Sequence, residues 1–105
     1  MAYTEFEERF ICHLQNCHTG GQKAASSKQL EAAFHVKGRE LRQLVNKLRS
    51  DGCSICSDSG GYYYPASLSE VKATAAQLNS RIIKIAKARA GLMRYIKEHS
   101  EDEEV

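Results

Sequence analysis

The most chemically informative side chains of this chain are four hydrogen-bonding residues between positions 39 and 46. They are Arg39, Arg42, Gln43 and Asn46. Their spacing places them on one face of a helix. Arginine can donate paired hydrogen bonds to guanine, and asparagine and glutamine can pair with adenine. This face therefore favours reading the base edges of duplex DNA; the alternative is that it is only the solvent-exposed side of an amphipathic helix.

A second set of polar residues flanks that face and suits contacts to the sugar-phosphate backbone. Cations and hydroxyl groups bind phosphate, which positions a domain on DNA without reading its sequence. The N–H groups at a helix N-terminus can serve the same purpose. The predicted phosphate-contacting residues are Ser26, Ser27, Lys28, Lys37, Lys47, Arg49 and Ser59.

The formal net charge of +2 hides an uneven distribution along the chain. The last eight residues contain five acids and no Lys or Arg, so residues 1–97 carry a formal net charge of +7. A basic body suits a polyanionic partner, although surface cations can also serve only to keep a small domain soluble. The acidic segment 98–105 predicts a disordered tail.

Four cysteines raise the question of a metal site. Cys12 and Cys17 lie five positions apart at a helix end, and Cys53 and Cys56 are expected on opposite sides of a strand. This spacing suits zinc poorly, so we expect no metal and no cofactor, with free and mostly buried cysteines. We also expect no enzyme, because the sequence contains no triad, phosphate loop or paired-acid signature.

Three predicted helices carry or support the polar face. The first runs from Thr4 to about Asn16, the second follows a cap at Ser26 or Ser27, and the third runs from about Arg39. The third helix is expected to end at Ser50, before Asp51 and Gly52. Its predicted core face consists of Leu41, Leu44, Val45 and Leu48.

Two turns separate the remaining elements of the first 66 residues. Residues 35–38 predict a tight turn between the second and third helices, with Gly38 taking the unusual backbone angles. Residues 53–57 and 62–64 predict two strands joined by the glycine-rich turn 58–61. Alternation along the second strand must bury part of its tyrosine run, while stacking of these rings on bases is a less favoured alternative.

The C-terminal third predicts one long helix to residue 97. Ser67 and Glu70 have the spacing of a capping box. The apolar residues that follow repeat at heptad spacing, with Arg89 in one slot. A helix of about 30 residues is about 45 Å long, more than a domain this small can cover. We therefore expect a homodimer, or alternatively a helix that packs partly on the body. The predicted dimer seam is Leu78, Ile82, Ile85, Leu92 and Ile96.

The middle of the chain resembles a known DNA-binding family. After the third helix come Leu48-Arg49-Ser50-Asp51-Gly52 and a hairpin that contains Gly61-Tyr62. This pattern is similar to winged helix-turn-helix domains of bacterial and phage regulators, including the biotin-repressor type. The whole chain also resembles small helix-turn-helix proteins of prophages. The resemblance covers residues 4–66, and it departs from the family at the wing tip, which has no Lys or Arg.

The resemblance implies a mainly α (α+β) fold: a winged helix-turn-helix with a two-stranded wing and a long C-terminal helix. The expected parts are the winged-helix domain 1–66, the dimerisation helix 67–97 and the acidic tail 98–105. The expected function is sequence-specific duplex DNA binding by a cytoplasmic, phage-type transcriptional regulator or DNA-transaction accessory factor, without membrane association. The alternative is a winged-helix adaptor that docks on a replication or transcription protein.

Overall fold

Four helices and a two-stranded antiparallel sheet form the part of the chain that the computed structural model describes, residues 3–103. The helices are α1 (Glu5–Cys17), α2 (Ser27–Phe34), α3 (Gly38–Ser50) and α4 (Leu68–Glu103), with a 3-10 helix at Gly21–Lys23. The strands are β1 (Cys56–Asp58) and β2 (Gly61–Tyr63), paired with Ser57 opposite Tyr62. The mainly α (α+β) class and the long C-terminal helix are thus confirmed.

The chain divides into two compact units, with the boundary between Thr74 and Ala75. The first two turns of α4 therefore belong to the first unit, which extends beyond the predicted boundary at residue 66. The core of this unit comes from α1, α2, α3, the connection between α1 and α2, and the segment that leads from α3 to β1. Its buried apolar residues are Phe10, Leu14, Ala25, Leu30, Leu41, Val45, Leu48 and Ile55.

The predicted starts of α1 and α2 are confirmed by their caps. The Thr4 hydroxyl accepts the Glu7 N–H at 3.1 Å, and the Glu7 carboxylate accepts the Thr4 N–H at 2.9 Å. Ser26 and Gln29 form the same reciprocal pair at the start of α2. These bonds satisfy N–H groups that a helix N-terminus otherwise leaves without partners.

The turn between α2 and α3 differs from the prediction. The left-handed residue is His35, with φ of 55°, whereas Gly38 is already the first residue of α3. The reason is the position of the helix end, because a residue that closes a helix in the left-handed conformation must directly follow its last turn. The Val36 N–H then donates to the Glu31 carbonyl at 3.1 Å and completes the closure.

The outer edge of β2 is covered by the connection between α1 and α2, which the sequence did not predict. Ala25 and Tyr62 exchange backbone hydrogen bonds of 2.8 and 2.9 Å, and the Gly20 N–H donates to the Tyr64 carbonyl at 2.7 Å. Gly61 permits this approach, because a Cβ on it would collide with the Ala25 carbonyl, and its φ is +129°. The pairing protects a strand edge that would otherwise be open.

The hairpin differs from the prediction in its bounds: Asp58 and Gly61 pair with each other at the ends of the strands, so the turn is Ser59-Gly60 and not the predicted 58–61. β1 begins at Cys56 instead of Cys53, because the Cys53 N–H donates to the Leu48 carbonyl at 2.9 Å and closes the end of α3. Gly52 follows the helix with φ of +93°, as a terminating glycine does. Ile55 points into the core as predicted, with 2% of its surface exposed.

Glu70 does not form the predicted capping box with Ser67. Its carboxylate instead accepts the Ala66 N–H at 2.7 Å and the Gly21 N–H at 2.8 Å. Bonding to these two backbone N–H groups lowers the pKa of Glu70. Glu70 thereby ties the start of α4 to the 3-10 helix after α1.

The end of α4 lies beyond the predicted boundary at residue 97. The helix continues through Glu103, so the predicted disordered tail is corrected for residues 98–103. Glutamate is a good helix former, and extending an existing helix requires no new nucleus. Residues 104 and 105 of the predicted tail lie outside the described residues.

Candidate nucleic-acid interface

The exposed face of α3 carries all four predicted base-reading residues. Leu41, Val45 and Leu48 on the opposite face are buried, which fixes the orientation of the helix about its axis. The exposed residues are Arg39, Arg42, Gln43 and Asn46. Within the described part of the chain, none of their side chains forms a hydrogen bond or an ion pair. We call this set the recognition face; its donors and acceptors are available to a ligand.

Lys47, a predicted phosphate contact, is held by two carboxylates. Its Nζ lies 2.6 Å from the Glu7 Oε2 and 3.3 Å from the Asp51 Oδ2. Glu7 is 5% exposed, and Lys47 together with the Thr4 N–H lowers its pKa. The two partners in turn raise the pKa of Lys47. Lys47 therefore joins α3 to α1.

Arg49, another predicted phosphate contact, is likewise engaged inside the molecule. Its Nε donates to the Ile55 carbonyl at 2.8 Å, and one terminal nitrogen donates to the Ser57 hydroxyl at 3.1 Å. These bonds run from the last turn of α3 to the segment that enters and begins β1. Arg49 thus anchors the hairpin to the helix that carries the recognition face.

At the start of α2, some of the groups that were predicted to contact phosphate already form hydrogen bonds within the protein. The Ser26 N–H and hydroxyl both bond to Gln29, and the Ser27 hydroxyl donates to the Glu31 carboxylate at 2.8 Å. Lys28 and Lys37 are exposed, and neither side chain forms an ion pair within the described residues. Among the predicted phosphate-contacting cations, these two lysines therefore remain available to a ligand.

The tip of the hairpin is polar and acidic. The Gly60 N–H donates to the Asp58 Oδ1 at 2.7 Å, so the carboxylate closes the turn as an Asx turn. Ser59 is exposed between them and can offer a hydroxyl group to a phosphate. Thr74 adds a support from α4, because the Ser57 N–H donates to its hydroxyl at 3.3 Å.

The tyrosines of the hairpin pack into the protein. Tyr63 is 4% exposed, and Tyr62 and Tyr64 are half-buried against the core. Burial raises the pKa of Tyr63. The packing supports the predicted role in the core over the alternative of base stacking.

The cysteines differ from the prediction in their burial. Cys56 is buried and Cys53 is half-buried, but Cys12 and Cys17 are exposed on α1. Burial raises the thiol pKa of both Cys53 and Cys56, which favours the protonated form. Among the described residues, no group of three or more His, Cys, Asp or Glu side chains is placed to hold a metal ion.

The predicted dimer seam lies on the part of α4 that forms the second unit. Leu78 is half-buried, while Ile82, Ile85, Leu92 and Ile96 are each more than half exposed. Within residues 3–103, no helix is both long and apolar enough to cross a membrane. Comparison with protein-family models, curated proteins and solved structures gave no significant match for this chain.

Proposed function

We propose that this protein binds duplex DNA by placing the recognition face of α3 in the major groove. The observation that carries the proposal is the one-sided environment of α3, in which every apolar core contact lies on one side. The other side carries two guanidinium and two amide groups that have no partner within the described residues. These are the groups that distinguish guanine and adenine by paired hydrogen bonds.

The support around α3 suits a helix that must enter a groove as a rigid body. Lys47 fixes it to α1 through Glu7, and Arg49 fixes it to the hairpin. Lys28 and Lys37 supply exposed cations for the flanking phosphates. With the predicted winged-helix likeness, these features favour a cytoplasmic transcriptional regulator or DNA-transaction accessory factor of phage type.

A second candidate function is a winged-helix adaptor that docks on a replication or transcription protein. The observation that favours it is the hairpin tip, which presents Asp58 and Ser59 and no cation. A carboxylate at the tip repels the phosphate backbone, so this hairpin would contribute less to DNA binding than a cationic one.

Fluorescence anisotropy of a labelled random-sequence duplex, titrated at several salt concentrations, tests the proposal. We expect micromolar affinity that decreases as salt increases, because each neutralised phosphate adds about −0.9 to the slope of log affinity against log salt. An operator selected from a random library should then bind at least about 1,000-fold more tightly than the random duplex. Absence of binding at low salt would reject the DNA proposal and favour the adaptor.

A further inference from the structure

The second unit exposes an apolar stripe that the proposed DNA interface does not use. Ile82 and Ile85 are 63% and 68% exposed, and Leu92 and Ile96 are 68% and 56% exposed. Met93 and Tyr95 flank the stripe and are 49% and 61% exposed. Large apolar side chains aligned in this way mark an interaction surface.

The spacing of the stripe specifies a helix as its partner. Positions 82, 85, 89, 92 and 96 follow one another at alternating steps of three and four. An average period of 3.5 keeps such a seam turned towards a second helix that supercoils around it. A second copy of α4 offers the same period over the same length.

We propose that the seam of α4 binds the seam of a second copy of this chain in the antiparallel orientation, with Ile85 facing the partner's Ile96. This pairing overlaps residues 78–103 of both chains, which all belong to the second unit. The inference does not rest on the proposed DNA binding, because it involves none of the residues of the recognition face.

Arg89 is the first reason for the antiparallel orientation. In a parallel pair in register, the two Arg89 side chains occupy the same seam layer, and their like charges repel each other. In the antiparallel pair, Arg89 lies opposite the partner's Leu92. Its aliphatic stem can then pack on leucine while the guanidinium group reaches water.

The sizes of the flanking residues are the second reason. In this register the residues that flank the seam on the same side meet each other. Met93 therefore lies beside the partner's Ala86, and Tyr95 lies beside the partner's Ala88. The two large exposed residues thus lie opposite two of the smallest side chains of the helix. Such alternation of large and small residues lets paired helices interdigitate.

The charge along α4 is the third reason. The helix is basic at Arg81, Lys84 and Lys87 and acidic over residues 98–103. Antiparallel pairing places Arg81 beside the partner's Asp102, whereas Lys84 lies level with the partner's Lys97. Parallel pairing places acid beside acid and base beside base, which disfavours association.

Sedimentation equilibrium of the full chain tests the existence of the pair. We expect a reversible dimer, and we expect Ile85→Lys to raise its dissociation constant by about 100-fold or more, because two buried isoleucines are lost per dimer. The matched control is Ile83→Lys, which makes the same change at an exposed position off the seam. A wild-type monomer at about 100 µM, or equal effects of the two substitutions, would overturn the proposal.

Mixing two variants tests the orientation and register. Ile85→Lys mixed with Ile96→Glu should restore the dimer, because lysine and glutamate then share one layer while the other layer keeps both isoleucines. Ile85→Lys mixed with Ile85→Glu should not restore it, since those residues meet only in a parallel pair. Native mass spectrometry distinguishes the mixed dimers, and restoration by the second mixture alone would overturn the antiparallel assignment.

Discussion

The two ends of α3 carry similar residue types in different environments. Arg39 and Arg42, near its start, are exposed and have no hydrogen-bonding partner within the described residues. Lys47 and Arg49, near its end, bond to Glu7 and to the backbone before β1. Cations on one helix therefore differ in purpose: the first pair is available for a ligand, and the second pair holds the helix in place.

The largest effect that follows from this comparison is on DNA affinity. We expect Arg39→Ala combined with Arg42→Ala to weaken binding to a selected operator by about 100-fold or more, because a bidentate arginine–base contact is worth about 1–3 kcal/mol. The midpoint of thermal unfolding should stay unchanged, since both side chains are exposed. Fluorescence anisotropy and circular dichroism on the same samples measure the two quantities.

A matched control for that pair is Lys23→Ala combined with Lys72→Ala. It removes the same charge from exposed positions outside α3. If the control weakens operator binding as much as the arginine pair does, the recognition face has no special role and only net charge matters.

The next effect is on stability and comes from the other end of the helix. Arg49→Ala removes two charge-assisted hydrogen bonds and leaves the carbonyl of buried Ile55 without its Arg49 donor. We expect a loss of about 2 kcal/mol in the free energy of unfolding. Arg42→Ala, the same change on the exposed face, should stay within about 0.5 kcal/mol of the wild type. Urea unfolding of both variants measures the difference, and equal losses would contradict the division of α3 into two ends.

A smaller effect on stability concerns two acids: Glu7, which joins α1 to α3, and Glu70, which ties the start of α4 to the 3-10 helix. The pKa values of Glu7 and Glu70 are lowered in the folded protein, chiefly by Lys47 for Glu7 and by the Ala66 and Gly21 N–H groups for Glu70. Their contribution to the free energy of unfolding is present above the ordinary glutamate pKa of about 4.3. It is lost as the pH falls through the lower pKa values of the folded protein. We therefore expect the unfolding midpoint in urea to decrease between about pH 5 and pH 3.

Substitution of Glu70 measures the share of that pH dependence that its carboxylate contributes. Glu70→Gln retains one acceptor for two N–H groups and should flatten the pH dependence as well as lower the stability at pH 7. Glu8→Gln, on the exposed side of α1, is the control and should lower the stability at pH 7 less than Glu70→Gln does. A curve for Glu70→Gln that runs parallel to the wild type would show that this carboxylate does not contribute.

Local patterns were enough to predict much of this fold, and long-range backbone contacts account for most of what was missed. The caps at Thr4 and Ser26 and the core face of α3 depend on spacing within a few residues, so they could be read from the chain. The bridge between Ala25 and Tyr62 joins residues far apart in sequence. Its one sequence signal is Gly61, whose lack of a side chain by itself predicts only a turn.

In the candidate site too, features set by local pattern were predictable from the sequence, and features set by long-range contacts were not. The composition and period of α3 predicted which residues are exposed, and the structure places all four recognition-face residues outward. The pairing of Lys47 with Glu7 was not predictable, because it requires knowing how α1 crosses α3. A cation on an exposed helix face therefore becomes a candidate for phosphate contact only after its intramolecular partners are known.

The smallest predicted effect compares the two kinds of lysine directly. Lys37 is exposed and forms no ion pair within the described residues, whereas Lys47 is paired with Glu7 and Asp51. If Lys37 neutralises one phosphate, Lys37→Ala should reduce the magnitude of the negative slope of log affinity against log salt by about 0.9. Lys47→Ala should change that slope less and should lower thermal stability instead, because Glu7 loses its charged partner. Salt titrations of both variants on one duplex measure this, and a larger slope change for Lys47→Ala would show that its ion pairs open when DNA binds.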